Sequence, residues 1–438
     1  MSLRKSFAAG LFVSLSLAAS AGWAQVGGVI PQTTAARHGL TRAWFTQIEV
    51  DRAIGRVEHI TLNRDLLIAQ TNKAIVHAID AETGRTLWIQ QIGERNLINM
   101  APAANEKFVA VINGTTLYVV DRGTGVLKWQ RRLNAVPGAG AALSETHVFV
   151  PMHDGMIQGW ALDNEKNKIP WIYKSAGHTL IQPIVTSTTI SWTTDRGYFY
   201  VAEHGEKMRI RYRVETRDSI DSQPAYWTPY LYAGSTDGYV YAVNEKTGDS
   251  AWKFSTGSPV GQPPVAINGK VYVVPDDAGM FCLSGDTGKQ EWLAAGPRQF
   301  LAASPTRIYA VDAINRLLTL DAKSGARIGI MPIDGLNMRL INSQSDRIYL
   351  GTKTGLLQCL RETELKQPLA YIPPTANLKG DGVAAEKPKP VLKKPADDAE
   401  AEEPAEEEAM DAPADDATAE EPAEEAMEAP AEEESPFE

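Results

Sequence analysis

Seven histidines (His38, His59, His77, His147, His153, His178 and His204) and two cysteines (Cys282 and Cys359) are the side chains best suited to metal or nucleophilic chemistry. No cysteine cluster accompanies the histidines, so a metal site would have to be assembled from distant parts of the chain. Cys282, in Phe281-Cys282-Leu283, and Cys359, in Gln358-Cys359-Leu360, read as small apolar fillers of buried strands carrying free thiols. Gly138-Ala139-Gly140 has neither a following helical pattern nor the Lys-Ser/Thr of a phosphate loop, and reads as a tight entry into a strand. In Met208-Arg209-Ile210-Arg211-Tyr212-Arg213 the charges alternate at period two and project from one strand face. That pattern suits an exposed edge strand defended by charge better than a nucleic-acid groove. These residues define no catalytic, cofactor-binding or metal-ligating set, and no nucleic-acid partner is expected.

The elements that position them come from a repeat. His77-Ala78-Ile79-Asp80-Ala81-Glu82-Thr83-Gly84 leads to Trp88, and Tyr118-Val119-Val120-Asp121-Arg122-Gly123-Thr124-Gly125 leads to Trp129. Further copies run from Tyr241 through Asn244 and Thr247-Gly248 to Trp252, and from Phe281 through Ser284 and Thr287-Gly288 to Trp292. Leu162-Asp163 ending at Trp171, and Leu320-Asp321 with Ser324-Gly325, are weaker copies, and the interval from Trp171 to Trp252 leaves room for a degenerate one around Tyr198 to Tyr212. A period of about 40 residues signals a repeat architecture whose units cannot bury their faces alone.

Each unit reads as a four-stranded sheet. The Asp, Asn or Ser eight residues before the Trp supplies an acceptor for turn amides, Thr-Gly makes the turn, and the indole wedges against the neighbouring sheet. Asn113-Gly114, Asp154-Gly155, Asp237-Gly238 and Thr354-Gly355 mark hairpins between the middle strands. Pro102, Pro183, Pro224 and Pro264 mark innermost edge strands. Third strands near Val76, Leu117, Ile157, Phe199, Val240, Met280, Leu318 and Leu357 predict an all-β, eight-bladed propeller over residues 43–373. The extra Trp44 predicts that Ala43 to Val50 closes the ring against Leu356 to Arg361, in competition with Pro368 to Ile372.

The segment Ala-x-Asp-x-x-Thr-Gly-x-x-x-Trp at this period resembles the pyrroloquinoline-quinone-like propeller repeat family. The resemblance covers residues 43 to about 372 and implies one of two roles. Quinone-dependent oxidoreductases of the family carry an adjacent cysteine pair and calcium ligands; no adjacent cysteines occur here, and no such ligand set can be matched. The other class has no cofactor and serves as a docking platform in outer-membrane protein assembly. The resemblance therefore implies a non-enzymatic propeller that binds protein partners, with peripheral association to envelope assembly machinery. A third reading, a surface-ligand module, rests on Trp160, Trp192 and Trp227 as exposed aromatics. Gln182, Gln262, Arg298 and Arg339, near the starts of inner strands, are the polar residues that would line one mouth of the central funnel.

Arg4 and Lys5, the apolar run Phe7 to Ala19 and the small residues up to Ala24 read as a signal peptide over residues 1–24, with 25–42 as a lead-in. Export to the periplasm or cell envelope follows, without an N-terminal cysteine for a lipid anchor. Residues 397–438 hold 20 of the 54 acidic residues and no Lys or Arg, leaving 43 basic against 34 acidic residues in the body. From residue 374 the composition turns to Lys-Pro and then Ala, Glu and Pro, too poor in apolar groups to offset its ordering entropy, so a disordered acidic tail is expected. Two roles fit such a tail: a tether for basic partners or cations, and a solubilising segment.

Overall fold

The computed structural model describes residues 28–51, 53–163, 169–205 and 208–373; the signal peptide and acidic tail inferred above lie outside these residues. Thirty-two strands form eight antiparallel four-stranded sheets. Blades 1 to 7 span residues 57–91, 103–132, 142–174, 184–215, 225–255, 265–294 and 297–332. Blade 8 takes three strands from residues 338–362 and its outermost from Leu40–Gln47, which pairs with Leu356–Glu362. The N-terminal strand thus closes the ring, starting three residues before Ala43. Pro368 to Ile372 supplies no sheet strand; it is held by an isolated bridge from Ala370 to Ser345, and Tyr371 donates its hydroxyl to Ala303 O at 2.8 Å. A short helix, Gln32–Arg37, precedes the closing strand.

The expected turn chemistry is present at Asp80, Asp121, Asn244 and Asp321. Asp80 Oδ1 accepts from the Thr83 amide and hydroxyl, both at 2.7 Å, and Asp121 and Asp321 repeat the arrangement with Thr124 and Ser324. These hydroxyl bonds hold the Asp121 and Asp321 carboxyls below their usual range.

The turns also join the blades. Indole Nε1 donates to a carbonyl of the next blade's turn, the one after the turn acceptor from Trp44 to Ala81, Trp88 to Arg122, Trp252 to Gly285 and Trp292 to Ala322, and the one before Asp163 from Trp129 to Leu162, at 2.7–3.2 Å. In blade 4, the degenerate copy, Tyr212 takes this place and its hydroxyl reaches Asn244 O and Glu245 O at 2.8 and 3.0 Å. On the same face, the inner hairpins are joined as well: Asn63 donates to Ala104 O, Asn105 to Ser144 O and Gln344 to Leu62 O, and Arg122 donates to Asn63 and to Asn105 O. Between the seams, buried aliphatic side chains from adjacent blades form the core.

Candidate interaction face

In this fold the connector from each outer strand to the next inner strand lies on the same face as the hairpins joining middle strands. Backbone bonds tie the connectors into blades 2 and 3 to the middle hairpins of those blades: Gly114 N to Ile98 O, Leu133 N to Thr115 O and His153 N to Val136 O, all at 2.8 Å. Packing here is tight. A Cβ on Gly138 would sit 1.9 Å from Thr179 O, so the Gly138-Ala139-Gly140 segment is glycine-rich because the neighbouring connector leaves no room.

Several exposed apolar side chains lie on this surface. Ile54, Leu97, Ile98, Val136 and Leu180 stand out from the connectors into blades 1 to 4, with Ile98 74% exposed. On the connectors into blades 5 to 8, Ile220, Val260, Ile333 and Leu336 are buried, as are Ile92 and Leu133 on the connectors into blades 2 and 3, while Ile314 on the middle hairpin of blade 7 is 65% exposed. Isolated exposed hydrophobics are ordinary, and a run of them on consecutive connectors makes this face the candidate interaction surface. Sequence reading did not single these residues out, because the same residue types occur on both halves and only the fold separates exposed from buried.

His153 and His178 also lie on this face, with ring centroids 5.0 Å apart. Asp195 accepts from His178 Nδ1 and from its amide, both at 2.7 Å. His153 is an exposed turn residue, as its place before Asp154-Gly155 suggested. Among the described residues no group of three or more His, Cys, Asp or Glu side chains is placed to hold a metal.

The residues suggested for the funnel mouth are spent on their neighbours. Gln182 donates to Ala141 O at 2.6 Å, Gln262 to Arg298 O at 2.5 Å, and Arg298 to Asp276 O. Arg339 bonds Leu336 O and Asn315 Oδ1 at 3.2 and 2.8 Å. They tie blades together. The surface-aromatic reading needs correction. Trp192 is wholly buried, stacked on Tyr200 with its Nε1 on Ser175 Oγ at 2.8 Å, Trp160 is buried against blade 2, and Trp227 is half-buried. Strand alternation turns both buried indoles toward blade seams, which the residue type alone does not reveal.

Cys282 and Cys359 are buried free thiols on blades 6 and 8. Burial pushes Cys282 up to about 12 and Cys359 higher still, which makes both poor nucleophiles. Among the described residues no helix is long and apolar enough to cross a membrane.

An eight-bladed ring whose tryptophans lock onto the turn of the next blade defines a pyrroloquinoline-quinone-type propeller. The chain matches the family described as "Outer membrane protein assembly factor BamB" over residues 72–214 and 209–338, and belongs to it. It is similar to the BamB proteins of Yersinia pestis, 20% identical over 60% of this chain and 63% of that protein, and of Salmonella typhimurium, 22% identical over 66% and 69%. A Shewanella oneidensis BamB is 23% identical over 41% of this chain and 51% of its own length. The chain thus spans between half and two thirds of the first of these relatives. Among solved structures, BamB from Moraxella catarrhalis shares the fold with a TM-score of 0.60 at 18% identity, covering 74% of this chain and 98% of that one. A computationally designed protein, Ika8, matches with a TM-score of 0.58 at 14% identity over the same shares.

Proposed function

We propose that this protein is a non-catalytic docking propeller of the periplasm or cell envelope that takes part in outer-membrane protein assembly and grips a protein partner with the connector face of blades 1 to 4. The observation that carries the reading is the run of exposed Ile54, Leu97, Ile98, Val136 and Leu180 on the consecutive connectors into blades 1 to 4. Burial of such a patch at an interface contributes about 25 cal/mol per Å² of apolar surface removed from water. Family membership and the names of the relatives support a role in outer-membrane protein assembly.

Photo-crosslinking in intact envelopes tests it. A photoreactive residue at Ile98 or Val136 is expected to capture one dominant protein, and the same probe at Asp221 on the opposite half is expected to capture far less. Recovery of the propeller alone from both positions would overturn the reading.

A further inference from the structure

The basic strand Arg209–Glu215 lines an open pocket of about 470 Å³ on the outer rim, walled by Glu203, Arg209, Ile210, Arg211 and Tyr212 of blade 4 and by Lys246 and Thr247 of blade 5. Its cations outnumber its anions. Glu203 alone neutralises two guanidiniums, Arg209 at 2.6 Å and Arg211 at 2.7 Å, and their hydrogen bonds hold its carboxyl below the usual range, so it stays charged. Lys246 forms no ion pair among the described residues. Arg211 Nη1 is buried and has no hydrogen-bond acceptor among the described residues. The positive rim continues past the pocket: Arg213 lies 4.5 Å over Tyr198, and Lys253 lies 3.6 Å over Tyr239.

Edge defence needs charge on a strand. It does not need a third cation contributed by the next blade, nor an orphan donor beside two paired ones. We infer that the blade 4–5 rim is a binding site for a phosphate group, recognised by Arg209, Arg211 and Lys246. Arginine forks and a lysine point charge are the usual ligands of such oxyanions, and an open rim pocket admits a phosphate carried on a larger surface as readily as a free ion. The site stands on its own geometry, whether or not the connector face binds a partner.

The test titrates the purified protein with inorganic phosphate in one arm. In the other it uses vesicles of phosphatidylcholine containing phosphatidylglycerol, at low and at physiological salt. Arg209→Gln combined with Lys246→Gln is compared with Lys323→Gln combined with Arg327→Gln, which removes the same charge from the exposed rim of blade 7. Vesicle binding weakened about thirtyfold by the first pair and unchanged by the second supports the site with a phospholipid headgroup as the source. Saturable inorganic phosphate binding, lost in the first pair, with vesicles left unbound, supports it with free phosphate as the source. Equal loss in both pairs, or binding of neither probe by the unaltered protein, overturns it. Thermal melts of both pairs verify that the ring is intact.

Discussion

The indole of Trp88 lies flat against Gly125 of the next blade, so that a Cβ built on that glycine would meet the ring at 2.6 Å, while Trp88 Nε1 donates to Arg122 O at 2.7 Å. Gly125 also holds φ +71°, where a side chain strains the backbone. Gly125→Ala combines both costs and is expected to destabilise the protein by roughly 2–4 kcal/mol. Urea unfolding followed by tryptophan fluorescence measures it; a loss under about 0.5 kcal/mol, the range of an ordinary surface substitution, would show that the seam yields easily.

Tyr212 performs the same service against Gly248 with a hydroxyl in place of an indole N–H. Tyr212→Phe removes the hydroxyl donor shared by Asn244 O, which keeps the Gly248 amide, and Glu245 O, and is expected to cost about 1–2 kcal/mol. Tyr212→Trp, which restores the donor used at the other seams, is expected to cost less than Tyr212→Phe in the same unfolding measurement.

The repeat made this much of the molecule legible before any coordinates. Blade count, third strands, turn acceptors and ring closure all follow from Trp spacing and from Trp44 standing one repeat ahead of Trp88. The apolar connector face was not legible. Ile98 and Ile220 are the same residue type on equivalent connectors, yet one is exposed and the other buried, because the backbone bonds from Gly114 N to Ile98 O and from Thr236 N to Ser219 O put Ile220 one position further along, where the blade 2 connector has the buried Asn99. The same limit misplaced Trp160 and Trp192, whose burial is set by strand alternation relative to seams.

Arg347, wholly buried in blade 8, bonds buried Asp346 and reaches Glu82 of blade 1 at 3.2 Å, and also takes the carbonyls of Leu365 and Lys366. Ring closure therefore rests on a buried charge cluster as well as on the Leu40–Gln47 strand. Arg347→Met strands Asp346 without its cation and is expected to destabilise by about 3–5 kcal/mol. Adding Asp346→Asn should recover part of that loss; a double variant no better than the single one would show that the guanidinium acts by packing alone.

The connector face predicts the opposite pattern. Ile98→Ser and Val136→Ser change exposed side chains and are expected to alter stability by no more than about 0.5 kcal/mol. Both should reduce recovery of the crosslinked partner severalfold. Loss of partner together with loss of the melting transition would mean that these side chains support the ring.

The seam between blades 3 and 4 predicts a pH dependence. His147 and His204 flank Phe149, each ring centroid 6.1 Å from the phenyl ring. Burial is the main cause holding both histidines below their ordinary 6.5, and each also sits among other charges: His204 depresses His147, Asp163 raises it, and Glu145 and Glu245 raise His204. A histidine with a lowered folded pKa takes up fewer protons folded than unfolded, so stability falls as pH drops through 6.5 toward the folded values. Melting temperature should therefore be flat above about pH 7.5 and decline on acidification toward pH 5. His204→Gln should flatten the upper part of that decline, where carboxylates do not yet titrate. An unchanged profile in His204→Gln and in His147→Gln alike would assign the acid sensitivity to other groups.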